Sequence, residues 1–210
     1  MSRLALALVL ALAANATRAA SIEVQVRDGG GNPVGDTAVY ATPASGGSEA
    51  RGARAAIEQF DREFLPYVTV IQVGTTVTFP NRDPILHHVY SFSPAKSFEI
   101  KLYTGKSPSE VVFDKSGVVT LGCNIHDWMV GYVVIVPTPY FAKSDATGGA
   151  RLRDLPAGAY EVRAWHPQQR TAAQAQSVSL DASGMVRTSF EIDSVARKPR
   201  FKPPLDRLKY

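Results

Sequence analysis

Val111-Val-Phe-Asp-Lys-Ser-Gly-Val-Val-Thr-Leu-Gly-Cys-Asn-Ile-His-Asp-Trp-Met-Val-Gly-Tyr-Val-Val-Ile-Val136 is the stretch that decides the fold. Three short β-branched runs stand out in it: Val111–Phe113, Gly117–Leu121 and Gly131–Val136. Polar turn residues separate the first two, and none of the runs repeats with a helical period, so each reads as a strand. Between the second and third lies Cys123-Asn-Ile-His126-Asp-Trp-Met129, a loop carrying a thiol, an imidazole and a thioether. Outward in both directions the same pattern recurs. Ile22–Val26, Ala38–Ala41, Thr75–Phe79, His88–Phe92, Ser97–Leu102, Tyr160–Trp165 and Arg187–Ile192 are further strand candidates, divided by Gly, Pro, Asp and Ser turns. Short strands at this spacing predict an all-β sandwich.

The 210 residues suffice for one large domain or two small ones. A formal charge of +4 is mild, and no interleaving of basic and aromatic residues suggests a nucleic-acid partner. Residues 1–19 read as a secretory signal peptide: Arg3, then the apolar run Leu4 to Ala14, then small residues that suit cleavage after Ala16 or Ala19. The run is about half the roughly 20 residues needed to cross a bilayer, which predicts export, for instance to a periplasm, without stable membrane insertion. Exported proteins usually pair their cysteines, yet Cys123 is alone. An odd thiol in such a chain is an intermolecular bridge, a core residue or a chemically used thiolate.

Residues 21–50 supply two strands around the turn Asp28-Gly-Gly-Gly-Asn-Pro33, residues 55–138 the densest run of strands, and residues 143–194 more hairpins. Neither flank makes a stable sheet alone. The economical solution joins 21–50 and 143–194 into one small sandwich with 55–138 inserted; the alternative is a single enlarged sandwich. Residues 195–210 form a basic, Pro-rich tail, expected to be extended and solvated.

Taken singly, Cys123, His126 and Met129 each have an ordinary explanation as core or loop residues. Their coincidence in a C-x2-H-x2-M loop, with Asn81-Arg-Asp-Pro-Ile-Leu-His87-His88-Val89 upstream, points to one metal ion. One thiolate and two imidazoles suit both oxidation states of copper, and a weak axial thioether adjusts the potential. Zinc is the rival, but thioether sulfur is a poor zinc ligand. The metal set is therefore Cys123, His126 and Met129 with one histidine of the His87-His88 pair. Strand alternation sends His87 and His88 to opposite faces, so one of them binds.

These residues resemble the cupredoxin family, in which an upstream His-Asn-Val strand joins a Cys-His-Met loop. The short loop is similar to that of amicyanin, and Val73-Gly-Thr-Thr-Val-Thr-Phe-Pro-Asn81 is similar to the strand before the first histidine. The segment also resembles the cupredoxin-like methylamine utilisation proteins. The resemblance covers about 55–138 and implies a Greek-key β-sandwich with one type 1 copper. The register of the family's His-Asn-Val strand implies His87 as the ligand, giving the set His87, Cys123, His126 and Met129, with His88 as a hydrogen-bonding neighbour or the alternative ligand. In the family the asparagine ties the ligand strand to the cysteine loop; His88 stands in its place here, and an imidazole can donate and accept as an amide does. Ile22–Tyr40 and Ser144–Val162 look like the two halves of a carboxypeptidase-regulatory-like (prealbumin-like) domain.

The expected function is an exported one-electron carrier, not an enzyme, that docks transiently with redox partner proteins. Four histidines are too few for the additional copper cluster of an oxidase. A copper-handling module or a ligand-binding β-sandwich is the alternative. Trp128 reads as a cover for the loop, or as part of an apolar docking patch beside an exposed His126 edge. His166, in Trp165-His-Pro167, reads as structural.

Overall fold

A computed structural model of the chain describes residues 20–172 and 175–193. The expected signal peptide and the basic tail lie outside the described residues. Among the described residues there are strands and turns and no helix.

The chain opens with β1 (Ala20–Asp28) and β2 (Ala38–Pro43). It continues through β3 (Arg54–Ala56), β4 (Glu58–Phe60), β5 (Glu63–Leu65), β6 (Val68–Gln72), β7 (Thr75–Thr78), β8 (His87–Ser93) and β9 (Lys96–Tyr103). Then come β10 (Val111–Phe113), β11 (Gly117–Gly122), β12 (Val130–Val136) and β13 (Phe141–Lys143), and last β14 (Gly149–Leu155), β15 (Gly158–Trp165), β16 (Gln176–Leu180) and β17 (Met185–Ile192). The all-β class and the runs read from the sequence agree with this; β3–β6, β13, β14 and β16 lie outside those runs.

Fifteen of the seventeen strands among the described residues form two sheet pairs, and β4 and β5 form a two-stranded hairpin. A five-stranded sheet in the order β6-β12-β11-β8-β9 and a three-stranded sheet β10-β7-β3 enclose a core that includes Phe79, Val89, Phe113, Val119, Leu121, Val133 and Ile135. The sheets β14-β1-β17 and β13-β2-β15-β16 enclose another, with Ile22, Val24, Val39, Leu152, Val162 and Phe190. The first and last parts of the chain are thus zipped together, β1 running parallel to β17 and β2 antiparallel to β15.

Period-two patterning explains most of these elements. In β15, Tyr160, Val162 and Ala164 are buried while their neighbours face outward. β12 differs because it is covered on both faces. Val133 and Ile135 enter the central core, whereas Val134 and Val136 enter a smaller cluster with Ala38, Tyr67 and Val68. A strand buried on both sides is apolar throughout rather than alternating, which is why Val133-Val-Ile-Val136 reads as one block.

Candidate metal centre

The Cys123–Met129 loop joins β11 to β12 and is coiled by its own backbone. His126 N donates to Cys123 O at 3.4 Å, and Met129 N donates to His126 O at 2.9 Å. These turns aim Cys123, His126 and Met129 inward, leaving them 3%, 1% and 1% exposed, while Asn124 and Asp127 face solvent. β8 pairs with β11 through Tyr90 opposite Gly122, which carries the start of β8 up against the loop. The His88 backbone N–H donates to Cys123 Sγ at 3.5 Å.

His87, fully buried at the head of β8, completes the group. Its Nδ1 lies 3.1 Å from His126 Nδ1, and His126 Nδ1 lies 3.6 Å from Cys123 Sγ. All three ligand atoms fall within 4.8 Å of one another. Donors about 2.0–2.3 Å from a shared ion stand roughly 3.3–3.7 Å apart, so the His87–His126 and His126–Cys123 pairs stand near the spacing that one ion requires. Met129 joins the same core cluster as Cys123.

The electrostatics agree with a metal site. Burial lowers the pKa of both imidazoles: His87 falls below its ordinary value despite the opposing pull of Asp83, and His126 falls to about 4, helped by its neighbour His87. Burial likewise pushes the Cys123 thiol up, against backbone N–H donors from His88, Ile125 and His126 that lower it. The imidazoles are neutral and ready to donate, whereas the thiol needs a cation beside it to ionise. His126 Nε2 is buried without a hydrogen-bond partner.

One residue in this centre carries no recognisable sequence signal. Asp83, in the β7–β8 loop, accepts at Oδ2 from His87 Nε2 at 2.7 Å and is almost buried, its side chain 9% exposed. It also accepts backbone N–H bonds from Asp61 and Arg62, each at 2.8 Å. Those two residues form the β4–β5 turn, with φ of 49° and 57°. Asn81 orients the loop: its Nδ2 donates to Ile85 O and Tyr103 O, and its Oδ1 accepts from Asp83 N. An aspartate four residues before a histidine is too common to flag, and the partners at 61 and 62 are remote in sequence.

Two expectations differ from what the structure contains. The ring of His88 points away from His87 and bonds Glu99 on β9, Nε2 to Oε1 at 2.8 Å, as strand alternation requires; only its backbone N–H reaches the cysteine. His126 has no exposed edge. Half-buried Trp128 lies over it, with ring centroids 5.2 Å apart, because the loop folds its indole back across the imidazole. His166 is buried, and its Nδ1 accepts from Gln168 N at 3.3 Å.

No protein-family model matches the chain, and none of the curated proteins does. Among solved structures, a copper-containing nitrite reductase from Thermus scotoductus SA-01 is similar over 45% of this chain and 25% of that one, with 23% identity and a TM-score of 0.38. This chain therefore spans about a quarter of that enzyme's length. A reduced amicyanin variant is similar over 46% of this chain and 99% of its own, with 19% identity and a TM-score of 0.37. A purple cupredoxin from Nitrosopumilus maritimus is similar over 40% of this chain and 99% of its own, with 29% identity and a TM-score of 0.35.

Proposed function

We propose that this chain is an exported one-electron carrier holding a single type 1 copper ion through His87 Nδ1, His126 Nδ1, Cys123 Sγ and the Met129 thioether. The observation that carries the reading is the convergence of two imidazole nitrogens and one thiol sulfur, within 4.8 Å of one another, in a buried site. That donor set, with the Met129 thioether as a further soft donor, would suit copper. Bound there, copper would supply the one-electron couple.

The chain's own part is to keep its donors in one arrangement for both oxidation states. Cys123, His126 and Met129 ride on a loop closed by its own backbone bonds, His87 is held from behind by Asp83, and the His88 N–H donates to the sulfur. Apolar neighbours such as Val89 and Leu121 keep water out. Burial of every donor favours retention of the metal and so carriage of electrons over hand-on of copper. The partner is an exported redox protein that docks transiently.

The test is to load the protein with Cu(II), record its visible spectrum and cycle it electrochemically. An intense thiolate-to-copper band and a reversible couple are expected. Both should vanish in Cys123→Ser and His87→Ala and survive in His88→Ala. A colourless loaded protein, a band that persists without the thiol, or rapid loss of Cu(I) to a weak chelator overturns the carrier reading.

A further inference from the structure

We infer that Asp83 is the positioning residue of the metal centre: it fixes His87 in the tautomer that presents Nδ1, and it strengthens that nitrogen as a donor. The inference rests on His87 being a ligand, as proposed above.

The geometry leaves Asp83 little choice. Both of its oxygens already accept, Oδ1 from Asp61 N and Oδ2 from Arg62 N, so the group that meets His87 Nε2 is an acceptor. The imidazole must then carry its proton on Nε2 and leave a lone pair on Nδ1, the atom facing His126 and Cys123. Without metal, His126 Nδ1–H would donate to that lone pair, and the buried His126 Nε2, which has no hydrogen-bond partner, would then have no proton left to place. A carboxylate behind a ligating imidazole orients the ring and raises its basicity. The β4–β5 turn completes the device. Its two left-handed residues each direct an N–H at the carboxylate, so a hairpin some twenty residues upstream holds the aspartate that holds the ligand.

Replacing Asp83 by Asn keeps the shape and removes the charge. An amide satisfies the two backbone donors and His87 less well than a carboxylate, and a neutral acceptor makes a weaker donor of Nδ1. Loss of negative charge behind the ligand penalises Cu(II) more than Cu(I).

The experiment has two arms. Nitrogen-15 NMR of the metal-free wild-type protein should show His87 protonated at Nε2 and bare at Nδ1; a proton on Nδ1 overturns the inference. In Asp83→Asn the Cu(II) affinity, measured by competition, should fall about 10–100-fold, with a smaller fall for Cu(I) and hence a raised reduction potential. Unchanged affinities, or equal losses for both ions, overturn it. If Asp83→Asn does not fold, the wild-type tautomer decides the matter alone. Wild-type protein with His87 protonated at Nε2 that binds no copper would sink the copper reading and leave the tautomer assignment standing.

Discussion

His126 shows at the scale of one residue what it costs to bury an imidazole whose outer nitrogen has no partner. Its ring is 1% exposed, its Nε2 has no partner, and its pKa is lowered to about 4 by burial and by His87. The unfolded chain binds a proton at the ordinary histidine value of about 6.5, so between these values the unfolded state holds more protons than the folded one. The stability this group contributes is therefore fully present above about pH 6.5 and is lost as pH falls towards 4. His87, also lowered, acts in the same direction. The melting temperature of the metal-free protein should be level between about pH 7 and 8, below the range where thiols titrate, and decline below 6.5. The decline should be shallower in His126→Gln; equal slopes in the two proteins would refute the assignment. The same scale shows what a sequence reveals. Cys123, His126 and Met129 are legible because three rare residue types fall in one loop, and alternation alone separates the two rings of His87 and His88. Asp83 is not legible, because its role exists only once residues 61 and 62 stand beside it.

Among the elements, the β4–β5 hairpin has most influence for its size. Each strand has three residues, and the turn Asp61-Arg62 lacks the Asn-Gly or Asp-Gly pair that marks a type I′ turn. Non-glycine residues at positive φ cost roughly 1–2 kcal/mol each, offset here by the carboxylate of Asp83. The hairpin is seated by Phe64, 1% exposed, which packs over Gly131 of β12. A Cβ on Gly131 would stand 2.8 Å from Phe64 Cβ, so glycine is required there by proximity rather than by backbone conformation. Phe64→Ala should cost about 3–5 kcal/mol and Gly131→Ala about 1–3 kcal/mol in urea unfolding. Phe60→Ser, at a side chain 54% exposed on the same hairpin, should stay within about 0.5 kcal/mol. A Phe64→Ala loss no larger than that of Phe60→Ser would mean that the hairpin is not seated by its aromatic. Long apolar runs such as Gly131–Val136 announce themselves as strands. A hairpin held by contacts to β12 and to residue 83 has no such local pattern to read.

Across the whole molecule, the central sheets and the flanking sheets meet along β12 and β6. β12 gives Val133 and Ile135 to the central core and Val134 and Val136 to the joining cluster, where Tyr132 meets Trp165 of β15 with ring centroids 5.7 Å apart. The loop that carries Cys123, His126 and Met129 leads directly into β12. A metal held there, as proposed, would stabilise an element that belongs to both halves, and the two should unfold as one cooperative unit. The protein's two tryptophans report on the two regions separately. Trp128 lies on His126 in the loop, and Trp165 lies at the join. Trp165→Phe leaves a probe of the centre, and Trp128→Phe leaves a probe of the join. In urea both should give the same midpoint. Binding of a ligand at about a thousand times its Kd adds about 4.1 kcal/mol to the state that binds it, so Cu(I) loading should move both midpoints together. A Trp165 midpoint that stays fixed while that of Trp128 rises would show that the flanking sheets fold independently, with β12 failing to transmit the stability of the centre across its two faces.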